Sequence, residues 1–312
     1  MDRLAPLWGE LLRQQEHSIF QRFAWNRLAA DVFSDRLSPF VVAVEGDSGA
    51  AILPAAINHA TGHLELLGEC LFDYRDVLHA GTRKVLHLAW EELSGCGKPL
   101  QVISVEEPAA MLRWNELPID AFARAPHVHR GDISESAFRH AHPRLRRQLR
   151  RMAREGVHLN EFSGNDCAVI RHLYRCKREH FAVQAENIFL DQRRCDFVVA
   201  AAALEGNRCN VFTLQDKGGT LVAGLVTFLD GDVRRFYTTY FHPGWGRYSP
   251  GAALLYEVTA RSLGAGLTCD YMTGEYPYKM RFATSSRPLY KLELSAQQLT
   301  AFAKRIRLST AA

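Results

Sequence analysis

One order of elements occurs twice along this chain, and that repetition constrains the fold more than any single motif. In the first half, strand patterns at Phe40–Val44, Ala51–Ile57 and His63–Gly68 lead through a polar segment to an amphipathic helix at about Thr82–Leu93, then a strand at Leu100–Val105. In the second, strands at Cys209–Gln215, Leu221–Leu229 and Val233–Phe241 lead through a loop to a helix at about Gly251–Leu263, then a strand at Thr268–Met272. The spacings between corresponding elements differ by only a residue or two. Turn residues fall where the pattern needs them: Gly46–Gly49, Lys217-Gly218-Gly219 and Asp230-Gly231-Asp232 between strands, Gly95 and Gly97 after one helix, Gly264 and Gly266 after the other.

This layout predicts an α/β chain with a mixed sheet, built from two tandem units. Each unit is an antiparallel meander followed by a strand-loop-helix-strand crossover. Helical periodicity also covers the first thirty residues and the stretches at about Asn165–His180 and Gln192–Leu204. The expected division is 1–130 for the first domain, 131–156 for a basic connecting helix, and 157–312 for the second domain. A length of 312 residues accommodates that division.

Composition excludes several classes. No apolar run approaches the roughly 18 residues of a membrane span, and Met1–Trp8 lacks a secretory apolar core, so a cytoplasmic location is expected. The seven cysteines form no CxxC pair, and His127-Val128-His129 and His140-Ala141-His142 lack a carboxylate cluster, so no metal is expected. A serine-hydrolase elbow, a Walker loop and a dinucleotide fingerprint are all absent from the sequence. The net charge is only +4, but six arginines (Arg144, Arg146, Arg147, Arg150, Arg151, Arg154) crowd eleven positions around Leu145, Leu149 and Met152. That pattern fits a solvated helix face packed by its apolar stripe, and alternatively a docking patch for an anionic donor or acceptor.

Two segments carry groups suited to chemistry. Arg247-Tyr248-Ser249-Pro250-Gly251-Ala252 opens a helix directly after a strand, where first-turn amides and the helix dipole attract anions. Asp270-Tyr271-Met272-Thr273-Gly274-Glu275 runs on to Tyr278 and Lys279. Acyl transfer to an amine needs a base, an acid for the leaving group and donors for the oxyanion. Glu275 or Asp270 is the candidate base, and Tyr278 or Tyr248 the candidate acid. Lys279 is a candidate for holding an anionic group of the acceptor, and Asp73-Tyr74 for lining the acceptor cleft from the first half. Cys269, beside Asp270, reads as a buried spectator.

The second half resembles the GNAT acyltransferases, which bind the acyl-CoA pyrophosphate on a loop of pattern Arg/Gln-x-x-Gly-x-Gly/Ala. Arg247 and Ala252 match that loop, and Pro250 stands where its central glycine is expected. Together with Arg144–Arg151, Gly224, Tyr240-Phe241-His242-Pro243, Asp270–Glu275 and Tyr278-Lys279, the loop resembles the CelD/BcsL-like (BioF2-like acetyltransferase) group, related to the tandem-GNAT Fem aminoacyl transferases. His242 takes the place of that group's usual acid. The resemblance implies an N-acyltransferase that moves an acyl group from acetyl-CoA or another acyl-CoA to an amine or hydroxyl acceptor, such as a small metabolite or glycan precursor. It assigns Arg247, Tyr248, Ser249, Gly251 and Ala252 to the donor, and Lys279, Asp73, Tyr74 and His242 to the acceptor. The alternatives are a Fem-like enzyme using aminoacyl-tRNA and a catalytically silent GNAT-like binding module. DNA is not an expected partner.

Overall fold

A computed structural model describes residues 1–14, 17–107, 109–112, 117–182 and 187–309. Its contacts divide the chain into two compact units, Met1–Arg124 with Pro288–Ala312, and Ala125–Arg287.

The first unit opens with α1 (Ala5–Gln14) and α2 (Phe23–Val32). Between them Ser18 and Gln21 form a capping box, and the fully buried Trp8 donates its indole N–H to the Gln21 carbonyl at 2.7 Å. β1 (Leu37–Gly46) and β2 (Gly49–Asn58) make a long hairpin in register from Leu37↔Asn58 to Gly46↔Gly49. β3 (Leu64–Leu66) pairs one half of β2 and β4 (Leu78–Gly81) the other, so β2 is covered along its length. After α3 (Arg83–Ser94), β5 (Leu100–Glu106) lies parallel to β3, which is the crossover that the spacing predicts. β6 (Ile119–Val128) then leads toward the second unit.

The second unit contains α4 (Glu135–Ala141), α5 (Pro143–Arg154), β7 (His158–Ser163), α6 (Cys167–His180), α7 (Gln192–Glu205), β8 (Cys209–Gln215), β9 (Leu221–Asp230), β10 (Val233–Phe241), α8 (Pro250–Gly264), β11 (Thr268–Asp270) and α9 (Pro277–Met280). β7 through β10 are neighbours in antiparallel order, and β11 joins β10 in parallel. β9 is apolar and buried on both faces because α6 packs on one side and α8 on the other. Gly224 permits the closest approach: a side chain there would run into Leu173 of α6. The parallel register covers only Val233↔Thr268 to Arg235↔Asp270, while β10 continues to Phe241. Past Arg235 the pairing of the two strands ends.

The chain then returns. β12 (Ser285–Leu294) pairs antiparallel with β5 from Leu289↔Glu106 to Leu294↔Leu100, and α10 (Ala296–Ser309) packs on α3 with Phe302 edge-on to Trp90 at 5.3 Å. The expected second domain of 157–312 therefore differs from the compact unit, which ends at Arg287, because Leu292, Leu294, Leu299 and Phe302 complete the first unit's core. The expected connector 131–156 is also part of the second unit. Leu145 and Met152 of α5 join the core of α8, each contributing about 2 kcal/mol of apolar burial, while the arginines of α5 stay exposed. No described helix is long and apolar enough to cross a membrane.

Candidate active site

The site begins where β10 ends. His242 starts a short helical turn, Pro243–Tyr248, and its Nδ1 accepts the Gly244 amide at 3.1 Å, so this imidazole shapes the turn. Ser249 follows in the left-handed region at φ 49°, and Pro250 occupies the first position of α8. A non-glycine residue held there costs about 1 kcal/mol, a strain found most often at functional positions. The next amides, of Gly251 and Ala252, have no acceptor within a helix at this position, and α8 adds the positive end of its dipole. Pro250 has no N–H, so the first turn offers the amides of Gly251 and Ala252.

Beside this turn lies an open pocket of about 420 Å³ lined by Gln148, Arg151, Arg154, Glu155, Arg247 and Tyr248. Glu155 accepts the Tyr248 hydroxyl and also Arg247 Nη2 at 3.4 Å, and the Arg247 guanidinium rests 4.7 Å over the Tyr248 ring. The hydrogen bond to Glu155 holds the Tyr248 phenol above its ordinary range, which keeps it protonated.

Where β10 and β11 part, Asp270 is wholly buried. Its Oδ2 accepts Arg235 Nη1 at 2.7 Å and Arg287 Nη2 at 3.0 Å, while Oδ1 accepts the Met272 amide at 2.8 Å. Arg235 is held in turn by Asp230 at 2.8 Å. A carboxylate enclosed by two guanidiniums and an amide has no free path to a substrate proton, so the geometry makes it a structural anion. It pins Met272 in the left-handed region, at φ 62°, where the following loop turns away. In that loop the buried Lys279 donates to the carbonyls of Thr273 at 2.6 Å and Met272 at 3.4 Å, with its ammonium 5.3 Å over the Tyr276 ring. Lys279 thus closes the loop on itself. Glu275 stands on its exposed side, and Tyr276 and Tyr278 stack at 5.9 Å. The Tyr278 hydroxyl lies near Thr239 of β10, and its surroundings raise its pKa chiefly by desolvation.

The structure brings to the same stretch of β10 three residues of α6 that sequence reading missed. Lys177 Nζ donates to the Thr239 carbonyl at 2.9 Å, and His180 Nδ1 lies 2.6 Å from the Tyr240 hydroxyl. Cys176 lies near Tyr240, whose phenol burial drives well upward. His180 also meets His242 edge-on at 4.6 Å. The only sequence signal was their spacing, which places them together at the last turn of one helix. Burial, with Lys279 nearby, draws Lys177 down to about 8 from the usual 10.5. Between those values the unfolded chain binds more protons than the folded one, so Lys177 makes stability rise with pH across that window. Denaturant unfolding at about pH 7.5 and about pH 10 should show a smaller rise in Lys177→Met than in the parent; equal rises would refute the placement.

Asp73 and Tyr74 lie in the first unit. Tyr74 is buried against Phe20, with ring centroids 6.2 Å apart. Next to it the buried Arg75 donates to the carbonyls of Leu66 at 2.6 Å and Phe72 at 3.2 Å, and Asp76 accepts the amides of Val77, Ala110 and Met111. Arg75 and Asp76 thus tie together loops of the first unit next to Asp73 and Tyr74. Among the described residues, no group of three or more His, Cys, Asp or Glu is placed to hold a metal.

Residues 137–280 match the family model described as acetyltransferase (GNAT) domain. The whole chain has a tandem GNAT-like fold. It is similar to the C-terminal domain of a putative lysylphosphatidylglycerol synthetase from Agrobacterium fabrum (TM-score 0.59, 13% identity, 89% of this chain and 93% of that one). It is also similar to FemX (TM-score 0.59, 8% identity, 97% and 98%) and to a tandem GNAT protein from the clavulanic acid biosynthesis pathway (TM-score 0.50, 11% identity, 94% and 95%). At these identities the likeness is one of fold. No curated protein sequence matches the chain.

Proposed function

We propose that this protein is an N-acyltransferase of the CelD/BcsL-like kind, passing an acyl group from acetyl-CoA or a longer acyl-CoA directly to an amine, or to a hydroxyl, of a polysaccharide, cell-envelope or small-metabolite precursor. The observation that carries this reading is the turn into α8, strained at Ser249 and set beside the place where β10 and β11 part. The amides of Gly251 and Ala252, with Arg247, hold the donor pyrophosphate. The donor supplies an acyl group activated as a thioester. Tyr278, protonated and near Thr239, gives a proton to the departing thiolate. Glu275 and His180, both reached by solvent, are the groups there that take the amine proton through water. Asp270 and Lys279 position the loop that carries Tyr278. The expected location is the cytoplasm.

Thermal unfolding in the presence of acetyl-CoA and longer acyl-CoAs tests this. A ligand at a hundred times its Kd stabilises by about 2.7 kcal/mol, so a rising, saturating melting temperature is expected with at least one chain length. No shift with any of them would count decisively against the reading. A second reading, aminoacyl-tRNA as donor, is favoured by the exposed arginines of α5 and by Pro250 in the loop; it requires RNA binding that weakens steeply with salt.

A further inference from the structure

The pocket beside the donor turn contains more than that turn requires. Gln148 is only 8% exposed, yet its Oε1 has no hydrogen-bond partner among the described residues, and it lines the pocket. An enclosed acceptor left without a donor costs about 1–3 kcal/mol, so its natural complement is an N–H or O–H on a ligand. Three guanidiniums, Arg151, Arg154 and Arg247, face the single carboxylate of Glu155 in the same pocket, a surplus of two positive charges. Glu155 is engaged by Tyr248 and Arg247, so it anchors one wall and leaves Arg151 and Arg154 on the exposed side of α5. A surplus of two matches a phosphomonoester dianion. The bridging phosphodiester-like groups of a pyrophosphate belong instead to the α8 amides a few residues away.

We infer that this pocket is a second donor subsite, specific for a ribose phosphomonoester, with Arg151 and Arg154 on the phosphate and Gln148 Oε1 accepting a hydroxyl or amino group of the attached nucleoside. The inference rests on the acyl-CoA reading and narrows it. A donor recognised here must carry the phosphorylated nucleoside end of coenzyme A. Acyl groups on a carrier protein, whose phosphopantetheine arm has no nucleoside, are poor donors, and so are those on dephospho-CoA. Recognition is set by α5, which precedes β7 through β11, so the motif of the α8 turn alone cannot reveal it.

Isothermal titration of the full chain with coenzyme A, dephospho-CoA and adenosine 3′,5′-bisphosphate separates the possibilities. The parent should bind coenzyme A about tenfold or more tighter than dephospho-CoA, the worth of one charge-assisted hydrogen-bond pair. The bisphosphate should compete with coenzyme A. Arg151→Ala/Arg154→Ala, both at exposed positions, should reduce the preference to less than about threefold, whereas Arg144→Ala, on the same helix but outside the pocket, should keep it. Gln148→Met should weaken the bisphosphate without changing the affinity for inorganic phosphate. Equal binding of coenzyme A and dephospho-CoA by the parent would overturn the subsite while leaving the acyl-CoA reading intact. Failure to bind either would overturn that reading as well. Salt-sensitive binding of an RNA oligonucleotide, lost in the double variant while coenzyme A binding is unchanged, would assign the arginines to RNA and overturn the subsite.

Discussion

Asp270→Ala is expected to destabilise the protein by about 3–5 kcal/mol, because it removes the carboxylate that two guanidiniums share and leaves buried positive charge undercompensated. Two arginines converge on this carboxylate, and they do not weigh equally. Arg235 is 9% exposed at its side chain and sits in low dielectric, whereas Arg287 is 38% exposed and is substantially screened by water. Most of the cost therefore falls through Arg235, which keeps its ion pair with Asp230 but loses the Asp270 carboxylate. Asp270→Asn keeps the shape and the Met272 amide contact but removes the charge, so it should cost nearly as much as Asp270→Ala. Denaturant unfolding followed by tryptophan fluorescence measures both. A loss below about 1 kcal/mol for either variant would mean that the ion network is solvated and that Asp270 is free for another role.

Tyr278→Phe is expected to lower kcat about a hundredfold or more, the usual scale of a lost general acid, with little change in the KM for acyl-CoA. The hydroxyl donates its proton only as the thiolate departs, so its loss appears in the transition state and not in ground-state binding. Tyr278 is 36% exposed and the substitution keeps the ring stacked on Tyr276, so stability should move by less than about 0.5 kcal/mol. A kcat within about threefold of the parent would remove Tyr278 from the chemistry and favour a GNAT-like module that only binds.

The second unit's meander was legible in the sequence almost to the residue. β8 and β10 have the expected bounds because Gly and Asp turns punctuate strongly apolar strands. The return of β12 and α10 to the first unit was not legible, because periodicity identifies an element without naming its partner; Leu289–Leu294 pairs with Leu100–Glu106, far back in the chain. Asp270 illustrates the same limit at the site. Its position at a strand end beside Gly274 and Glu275 suggested a base. The register that sets Arg235 beside it, and the arrival of Arg287 from the following strand, decide its real surroundings, and neither appears in local pattern. Lys177 and His180 were missed for a related reason: sixty residues separate them from the β10 groups they touch. The Arg247–Ala252 turn was found because its meaning is local, a strand, a proline at the first helical position and two small residues in order.

Acetyl-CoA binding by the parent and by Gly251→Asp, measured by calorimetry, tests the central claim most directly. A side chain at Gly251 meets only ordinary contacts with Phe241, and an aspartate in the first turn favours the α8 dipole, so the fold should survive or gain stability. The same carboxylate occupies the place assigned to the donor pyrophosphate and repels it. The account predicts saturable binding by the parent and a loss of at least about tenfold in affinity in Gly251→Asp, at an unchanged or higher melting temperature. Equal affinity in the two proteins, or no binding by the parent, would contradict it.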